Sequence, residues 1–196
     1  MRIIMVCGFT GSEKKNTLFA IGNELNSREK KVAVVITENE DSEDKSHVSA
    51  DSGVGVREMI SSCVPCSFLF DLMAELQKIN ELSAFDHVII ELPFNSMPAE
   101  VKEGLENLEF EDMSFAPIIN VADAMNMESD VELIPKIIRN QIIDSEIIFI
   151  TGDLAGSEKV AALSKTLGNI NPNAEILENS TDSDDGIVGL ADIITK

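Results

Sequence analysis

A turn containing glycine and lysine, GFTGSEKKNT at residues 8–17, carries residue types that could bind phosphate. A phosphate-binding loop of the form GxxxxGK(S/T) needs glycines so that several backbone N–H groups converge on oxygen atoms, and a lysine near the β- and γ-phosphates. Counting from the first glycine, Lys14 falls on the lysine position. The other residues that fit the loop are Gly8, Gly11 and Ser12. The turn therefore predicts a nucleotide-phosphate site.

Two positions depart from that pattern. Glu13 stands where the second glycine is expected, and it adds a negative charge where phosphate should lie. Lys15 replaces the hydroxyl residue that binds Mg²⁺. If one residue is inserted in the alignment, Lys15 becomes the phosphate lysine, with Asn16 and Thr17 at the hydroxyl positions. The alternative is an ordinary turn between a strand and a helix that binds nothing.

Carboxylates follow or flank several predicted strands. Asp86 and Glu91 flank one apolar run, and Asp153 follows a later one. In nucleotide hydrolases an acidic residue near the phosphate loop helps to place Mg²⁺ and water. A later aspartate can accept two hydrogen bonds from a guanine base. Each of these residues, taken alone, is also consistent with an ordinary surface acid.

Two cysteines form a second constellation, in the segment SSCVPCSF. Cys63 and Cys66 precede a predicted helix, whose N-terminus favours thiolates and hence metal binding or redox chemistry. A tetrahedral zinc site needs further ligands, which could be His47, His87, carboxylates of the acidic residues 37–51, or the same pair in a second subunit. The alternative is two buried cysteines that pack as small apolar groups.

Alternating strands and helices must position these residues. Apolar runs predict strands at 3–7, 32–36, 85–91, 115–121, 146–151 and 174–177, and a weaker one at 53–60. Apolar residues spaced by three and four predict helices from residue 15, and at 68–82, 98–108, 131–140, 157–167 and 186–194, with Ser157 as an N-cap. The alternation predicts an α/β protein: a three-layer P-loop NTPase-like fold with a mainly parallel sheet of about six or seven strands. Ligands of such sheets bind at the carboxyl ends of the strands.

The composition restricts the possible partners and compartments. The 196 residues fit one domain, 1–196, and the net charge of −20 argues against nucleic acid or an anionic membrane as a partner. No apolar run approaches the ~20 residues of a membrane span, and the N-terminus lacks the pattern of a signal peptide. Three cysteines do not suggest a disulfide framework. We expect a cytoplasmic protein with reduced thiols.

Taken in order, these segments resemble the CobW/HypB/UreG family of P-loop GTPases and metallochaperones, most closely the nucleotide-binding domain of CobW-like proteins. The family's loop GFLGSGKTTL is matched here by GFTGSEKKNTL, and its cysteine segment GVEVVELANGCICC by GVGVREMISSCVPC. Its segments AVIVNEFGE, IVIETTG and LLNKTDL correspond to AVVITENED, VIIELPF and FITGDLA. Cys63 and Cys66 fall on the outer cysteines of the family's CxCC. Glu91 and Asp153 are kept, whereas the asparagine-lysine pair and the glycine after Glu91 are not.

The resemblance implies a nucleotide-binding protein that assists metal or metal-cofactor insertion into an apo-metalloenzyme, such as a cobalamin or nickel enzyme. It implies GTP or GDP with Mg²⁺, catalysis by Lys14 and Glu91, and a homodimer. Residues 37–51 would form a nucleotide-dependent switch. Zinc, nickel or cobalt would bind Cys63 and Cys66. The nucleotide would contact Gly8, Gly11, Ser12, Lys14, Lys15, Asn16, Thr17 and Asp153.

The departures at the phosphate loop and at the base-recognition segment imply weak or lost GTP hydrolysis. The alternative is a pseudo-GTPase that keeps the fold and binds a partner protein without nucleotide turnover. A thiol redox protein is a third reading, but a thioredoxin-like fold would place Cys63 and Cys66 much closer to the first strand.

Overall fold

The computed structural model describes residues 1–9, 12–37, 54–59, 67–81, 85–108, 110, 112–152, 156–179 and 185–196. The strands are β1 (Arg2–Gly8), β2 (Val32–Ile36), β3 (Gly55–Glu58), β4 (His87–Glu91), β5 (Ser114–Phe115), β6 (Ile119–Asp123), β7 (Ile147–Thr151) and β8 (Glu175–Glu178). The helices are α1 (Ser12–Ser27), α2 (Phe68–Glu81), α3 (Pro98–Glu106), α4 (Lys136–Asp144), α5 (Ser157–Ile170) and α6 (Asp185–Ile194). Among these, no helix is long and apolar enough to cross a membrane.

The strands form one sheet with the order β3-β2-β4-β1-β6-β7-β8, and β5 also pairs with β1. Each of these pairings is parallel. β1 lies near the middle, where helices cover both faces, and its residues 3–7 are fully buried. The predicted α/β fold with a parallel sheet is therefore confirmed, with eight strands in the described part of the chain.

Alternate residues of β1 face opposite helical layers, because successive side chains of a strand point to opposite faces. Ile4 and Val6 belong to the core shared with α1 and α6. Ile3 and Met5 belong to the core shared with α2 and α3. A third cluster, between the sheet and helices α4 and α5, extends that second face beneath β6 and β7. These are the three predicted layers.

Two prolines divide segments that were predicted as single elements. The predicted strand 115–121 is split into β5 and β6, and Pro117 lies between them with no backbone N–H to give to the sheet. The predicted helix 131–140 is a 3-10 helix, Val131–Leu133, followed by α4. Pro135 is the N-cap of α4, so it ends the first helix and starts the second. The second break lies close to the candidate site, because Pro135 lines the cavity described below.

Two helix starts also differ from the prediction. The N-cap of α5 is Gly156, with φ +85 and no side-chain cap hydrogen bond, so Ser157 is the first helical residue and not the cap. α1 begins at Ser12 and not at residue 15. The second difference matters more, because it places Lys14 on the first turn of a helix.

Candidate functional site

Glycine is required at the point where the chain leaves β1. Gly8 has φ +134, a conformation that side-chain-bearing residues rarely adopt. It pairs with Val121 of β6, and a Cβ atom at Gly8 would overlap the carbonyl oxygen of that residue. The first glycine of the predicted phosphate loop therefore has a steric reason to be glycine.

The two adjacent lysines at the start of α1, Lys14 and Lys15, differ in how deeply their side chains are buried. Lys14 is only 2 % exposed, whereas Lys15 is half-buried and Asn16 is exposed. The sequence left open whether Lys14 or Lys15 occupies the lysine position of the loop. Of the two, Lys14 is the one that the helix directs into the protein, toward the end of β4.

The ammonium group of Lys14 meets the carboxylate of Glu91. Lys14 Nζ lies 3.7 Å from Glu91 Oε1 and donates a 3.1 Å hydrogen bond to the carbonyl oxygen of Leu92. Glu91 is fully buried and ends β4, which runs beside β1 in a register that pairs it with Val6. The adjacent parallel strands therefore bring two predicted catalytic residues together from positions far apart in the sequence.

Glu91 also holds the end of β2. The backbone N–H of Thr37 donates to Glu91 Oε2 at 3.1 Å, and the Thr37 hydroxyl donates to the Glu91 carbonyl at 2.9 Å. One carboxylate thus joins the start of α1 to the first residue of the predicted switch segment. The rest of that segment, 38–51, lies outside the described residues.

The hydroxyl of Thr17 points back along α1. Its Oγ1 donates a 2.8 Å hydrogen bond to the carbonyl oxygen of Glu13, and the side chain is almost completely buried. The oxygen keeps lone pairs that could serve a hard cation such as Mg²⁺, which prefers oxygen ligands. The bond ties Thr17 to the turn that carries Glu13.

The loop after Glu91 is held by a buried amide. Gln141 Nε2, on α4, donates to the carbonyl oxygens of Phe94 and Ser96, each at 2.9 Å. Phe94 stands where the resembling family has a glycine, and its side chain is partly exposed. No motif in the sequence identified Gln141, because an amide in an amphipathic helix carries no signal of what it will contact.

Asp123 organises the end of β6. Its Oδ1 accepts a 2.8 Å hydrogen bond from the backbone N–H of Met125, and Oδ2 accepts one of 2.5 Å from Asn126 Nδ2. A Cβ at Gly152, which has φ +90 at the end of β7, would lie 2.7 Å from Asp123 Oδ1. The ends of β6 and β7 are therefore tightly packed. Asp153, the next residue in the sequence after Gly152, lies outside the described residues.

A cavity of about 170 Å³ opens between the start of α1 and the segment that joins β6 to α4. The sequence did not identify it, although the short apolar stretch around Pro135 is the feature that closes one wall. Most of its lining side chains are apolar, and charged groups come from both α1 and the β6–α4 segment. It is lined by Phe9, Glu13, Lys14, Val121, Asp123, Asn126, Met127, Glu128, Leu133, Ile134, Pro135 and Ile138.

Asp86 and His87 lie at the amino end of β4, at the opposite edge of the sheet from Glu91. Asp86 precedes the strand, and its carboxylate accepts a 2.9 Å hydrogen bond from the backbone N–H of Lys31. His87 is buried, and this burial lowers its pKa. The rise of a strand places the two ends of β4 about 13 Å apart, so only Glu91 lies near the phosphate loop.

Cys7, the cysteine within the described residues, packs in the core of the protein. Cys7 is fully buried, and burial raises the pKa of its thiol to about 11, even though Ser145 and Asn120 contact the sulfur. It stays protonated at neutral pH and is a poor metal ligand. Within the described residues no cluster of histidine, cysteine and carboxylate side chains could hold a metal, and the predicted ligands Cys63 and Cys66 lie outside them.

The start of α1 can hold an anion, with one opposing group. The first N–H groups of any α-helix have no partner within the helix, and its dipole favours negative charge there. Lys14 adds a cation to the same turn. Glu13 adds a carboxylate to that turn and lines the cavity beside it. The arrangement fits a phosphate group, and Glu13 weakens its attraction. Gly11, also predicted to bind phosphate, lies outside the described residues, as does the side chain of Ser12.

The family model "CobW/HypB/UreG, nucleotide-binding domain" matches residues 2–178, and no curated protein sequence matches the chain. HypB from Helicobacter pylori, solved in complex with nickel, has a TM-score of 0.66 at 15 % identity, covering 97 % of this chain and 85 % of that one. The hydrogenase maturation factor HypB from Archaeoglobus fulgidus has a TM-score of 0.63 at 15 % identity, covering 98 % and 88 %. The Zn(II)-bound YjiA GTPase from E. coli has a TM-score of 0.62 at 23 % identity, covering 90 % of this chain and 56 % of YjiA. The chain therefore spans a little more than half of YjiA, and these structures establish the shared fold.

Proposed function

The chain belongs to the CobW/HypB/UreG family, and we propose that it binds a guanine nucleotide and assists insertion of a metal or metal cofactor into a client enzyme, with weak or lost GTP hydrolysis. One observation carries the nucleotide part. Lys14 and Glu91 lie 3.7 Å apart where the N-terminus of α1 meets the carboxyl end of β4. A phosphate-transfer site needs a cation on the phosphates and a nearby carboxylate to place metal and water.

Each residue of this site has a specific role in the proposal. Mg²⁺-GTP supplies the transferable phosphoryl group when it is bound. Lys14 would hold phosphate oxygens, and Glu91 would help to place Mg²⁺ and water while its carboxylate accepts the hydrogen bond from the backbone N–H of Thr37. The remaining phosphate contacts come from the turn after β1 and from α1, and Asp153 recognises the guanine. Those contacts are Gly8, Gly11, Ser12, Lys15, Asn16 and Thr17.

Three features of the site support slow turnover. Glu13 places a carboxylate on the turn that would meet the phosphates. Lys14 already donates to the carbonyl oxygen of Leu92, so phosphate must compete for that ammonium group. Phe94 occupies the position of the family's glycine, in a turn that Gln141 holds by two hydrogen bonds.

The nucleotide experiment is calorimetry with Mg-GTP, Mg-GDP and Mg-ATP on the wild type and on a Lys14→Ala variant. Lys78→Ala is the control, because its side chain is largely exposed on α2 and is not one of the proposed nucleotide contacts. We expect guanine nucleotides to bind the wild type and the control, and Lys14→Ala to bind at least tenfold more weakly, as loss of a charge-assisted contact predicts. No binding at millimolar nucleotide would contradict the proposal.

A pseudo-GTPase scaffold is the second candidate. The contact between Lys14 and the Leu92 carbonyl favours it, because the lysine is satisfied within the protein. In that case the fold would bind a partner protein without nucleotide turnover. The same calorimetry separates the two candidates: the scaffold predicts no heat with any nucleotide, and tight binding with turnover rejects the scaffold.

We propose Cys63 and Cys66 as the metal ligands, with zinc, nickel or cobalt as the metal, in a cytoplasmic homodimer that could share the metal between subunits. Thiolates suit soft and borderline ions of this kind. The experiment titrates Zn²⁺ and Ni²⁺ into the wild type and a Cys63→Ser/Cys66→Ser double variant, with Cys7→Ala as the control. The control should keep wild-type affinity because its thiol is buried and protonated. Equal affinity in the double variant would reject the site.

A further inference from the structure

Exposed apolar side chains lie at the cavity beside α1 and along the segment that forms one of its walls. We define the β6–α4 surface by four partly or largely exposed apolar side chains, of which Leu133 (62 %) and Phe9 (48 %) also line the cavity: Phe9, Met125, Val131 and Leu133. They come from the end of β1 and from the segment that joins β6 to α4. Exposed apolar groups beside an apolar cavity are typical of a recognition surface.

The size of the cavity indicates what it can hold. At about 170 Å³ it is smaller than the ~300–1,000 Å³ of most small-molecule sites. It has room for one or two protein side chains. Interfaces between proteins commonly place one aliphatic or aromatic anchor into a pocket of this kind.

The charge around the cavity indicates the chemistry of the partner. Glu128, Asp130 and Glu132 are exposed in the same segment. Two basic residues lie beside them: Lys136 follows in the sequence, and Lys159 donates a 3.0 Å hydrogen bond to the carbonyl oxygen of Met125. The chain as a whole carries a net charge of −20. Such a surface repels phosphates of nucleic acid and of anionic lipid, and it also repels a second copy of itself. It attracts a segment rich in lysine or arginine.

We propose that the β6–α4 surface docks a partner protein through a basic amphipathic segment, whose apolar side chain enters the cavity and whose lysines or arginines face the acidic rim. The inference rests on the proposed function only in naming that partner as the client enzyme. Because Glu13 and Lys14 also line the cavity, the docked segment would touch the turn that would hold phosphate.

The experiment uses a synthetic amphipathic peptide of leucine and lysine, fluorescently labelled, and measures its binding to the full chain by anisotropy at physiological salt. Two control peptides keep its length: serine with lysine, and leucine with glutamate. We compare the wild type with Leu133→Ser and with Phe70→Ser. Phe70 is the matched control because it is 73 % exposed but lies on α2, away from the cavity.

We expect the leucine–lysine peptide to bind, Leu133→Ser to weaken it by about tenfold, and Phe70→Ser to change it by less than about twofold. Binding of the serine–lysine peptide with the same affinity would overturn the inference, because net charge alone would then explain it. So would equal losses in the two variants, or no binding of the leucine–lysine peptide.

A second copy of this chain could occupy the surface instead of a basic segment. Sedimentation of the wild type and Leu133→Ser at increasing concentration tests this alternative. If the wild type self-associates and Leu133→Ser does not, the surface pairs two copies of this chain and the inference is wrong. The peptide measurement needs neither nucleotide nor metal. A failure of nucleotide binding therefore leaves the docking surface standing, and a failure of peptide binding leaves the nucleotide site standing.

Discussion

The buried pair of Lys14 and Glu91 makes a quantitative prediction. At 3.7 Å and an effective dielectric constant near 20, two unit charges attract by about 4.5 kcal/mol. Removing one partner leaves the other charge buried, which costs about 3–5 kcal/mol in the free energy of unfolding. We therefore expect Lys14→Met and Glu91→Gln each to lose about 3 kcal/mol, and the double variant to lose no more than either single one.

Urea unfolding followed by far-ultraviolet circular dichroism measures these differences, since the chain has no tryptophan or tyrosine. Lys78→Met is the control. Lys78 pairs with Glu75 at 3.0 Å, but it is largely exposed on α2, and such surface pairs contribute less than about 1 kcal/mol. If the losses of the two single variants add in the double variant, Lys14 and Glu91 do not act as a pair and the reasoning is refuted.

Three further predictions concern buried backbone and titratable groups. Gly8→Ala should lose about 3 kcal/mol because its Cβ would overlap the Val121 carbonyl, whereas Gly189→Ala in α6, with open space around it, should gain about 0.5–1 kcal/mol; thermal unfolding compares them. Burial raises the pKa of Cys7 from 9.0 to about 11, so stability falls as pH rises through that window, and a thiol reagent should reach Cys7 only after unfolding. Burial lowers the pKa of His87 below 6.5, so stability should fall as pH drops below that value, and His87→Gln should lose this part of the slope.

Much of the fold could be predicted from apolar patterns, because buried parallel strands are nearly continuous apolar runs. The run at residues 32–36 has the observed bounds of β2, and the run at 146–151 misses those of β7 by one residue. The errors lie at prolines and helix starts. Pro117 and Pro135 each interrupt a pattern that reads as continuous, and α1 starts three residues before its apolar periodicity does. Periodicity reports the buried face, and it is insensitive to where a backbone hydrogen bond is missing.

The candidate site could be predicted only in its residue types. The spacing of the first turn pointed to Gly8 and to either Lys14 or Lys15, and the strand ends pointed to either Asp86 or Glu91. The contact between Lys14 and Glu91 arises from the parallel register of β1 and β4, which no local pattern encodes. Gln141 and the cavity were missed for the same reason, since each combines residues from elements that are distant in the chain.

The sequence by itself determined the alternation of strands and helices, the family resemblance and the strongly acidic charge, because each is a property of residue types and their order. Only the tertiary structure decided which of two adjacent lysines enters the protein and what it meets there. The helix that begins at Ser12 turns Lys14 inward and Lys15 outward, and the neighbouring strand supplies Glu91. The direction of a side chain depends on where its helix starts and which strand lies beside it, and folding sets both through contacts between distant residues.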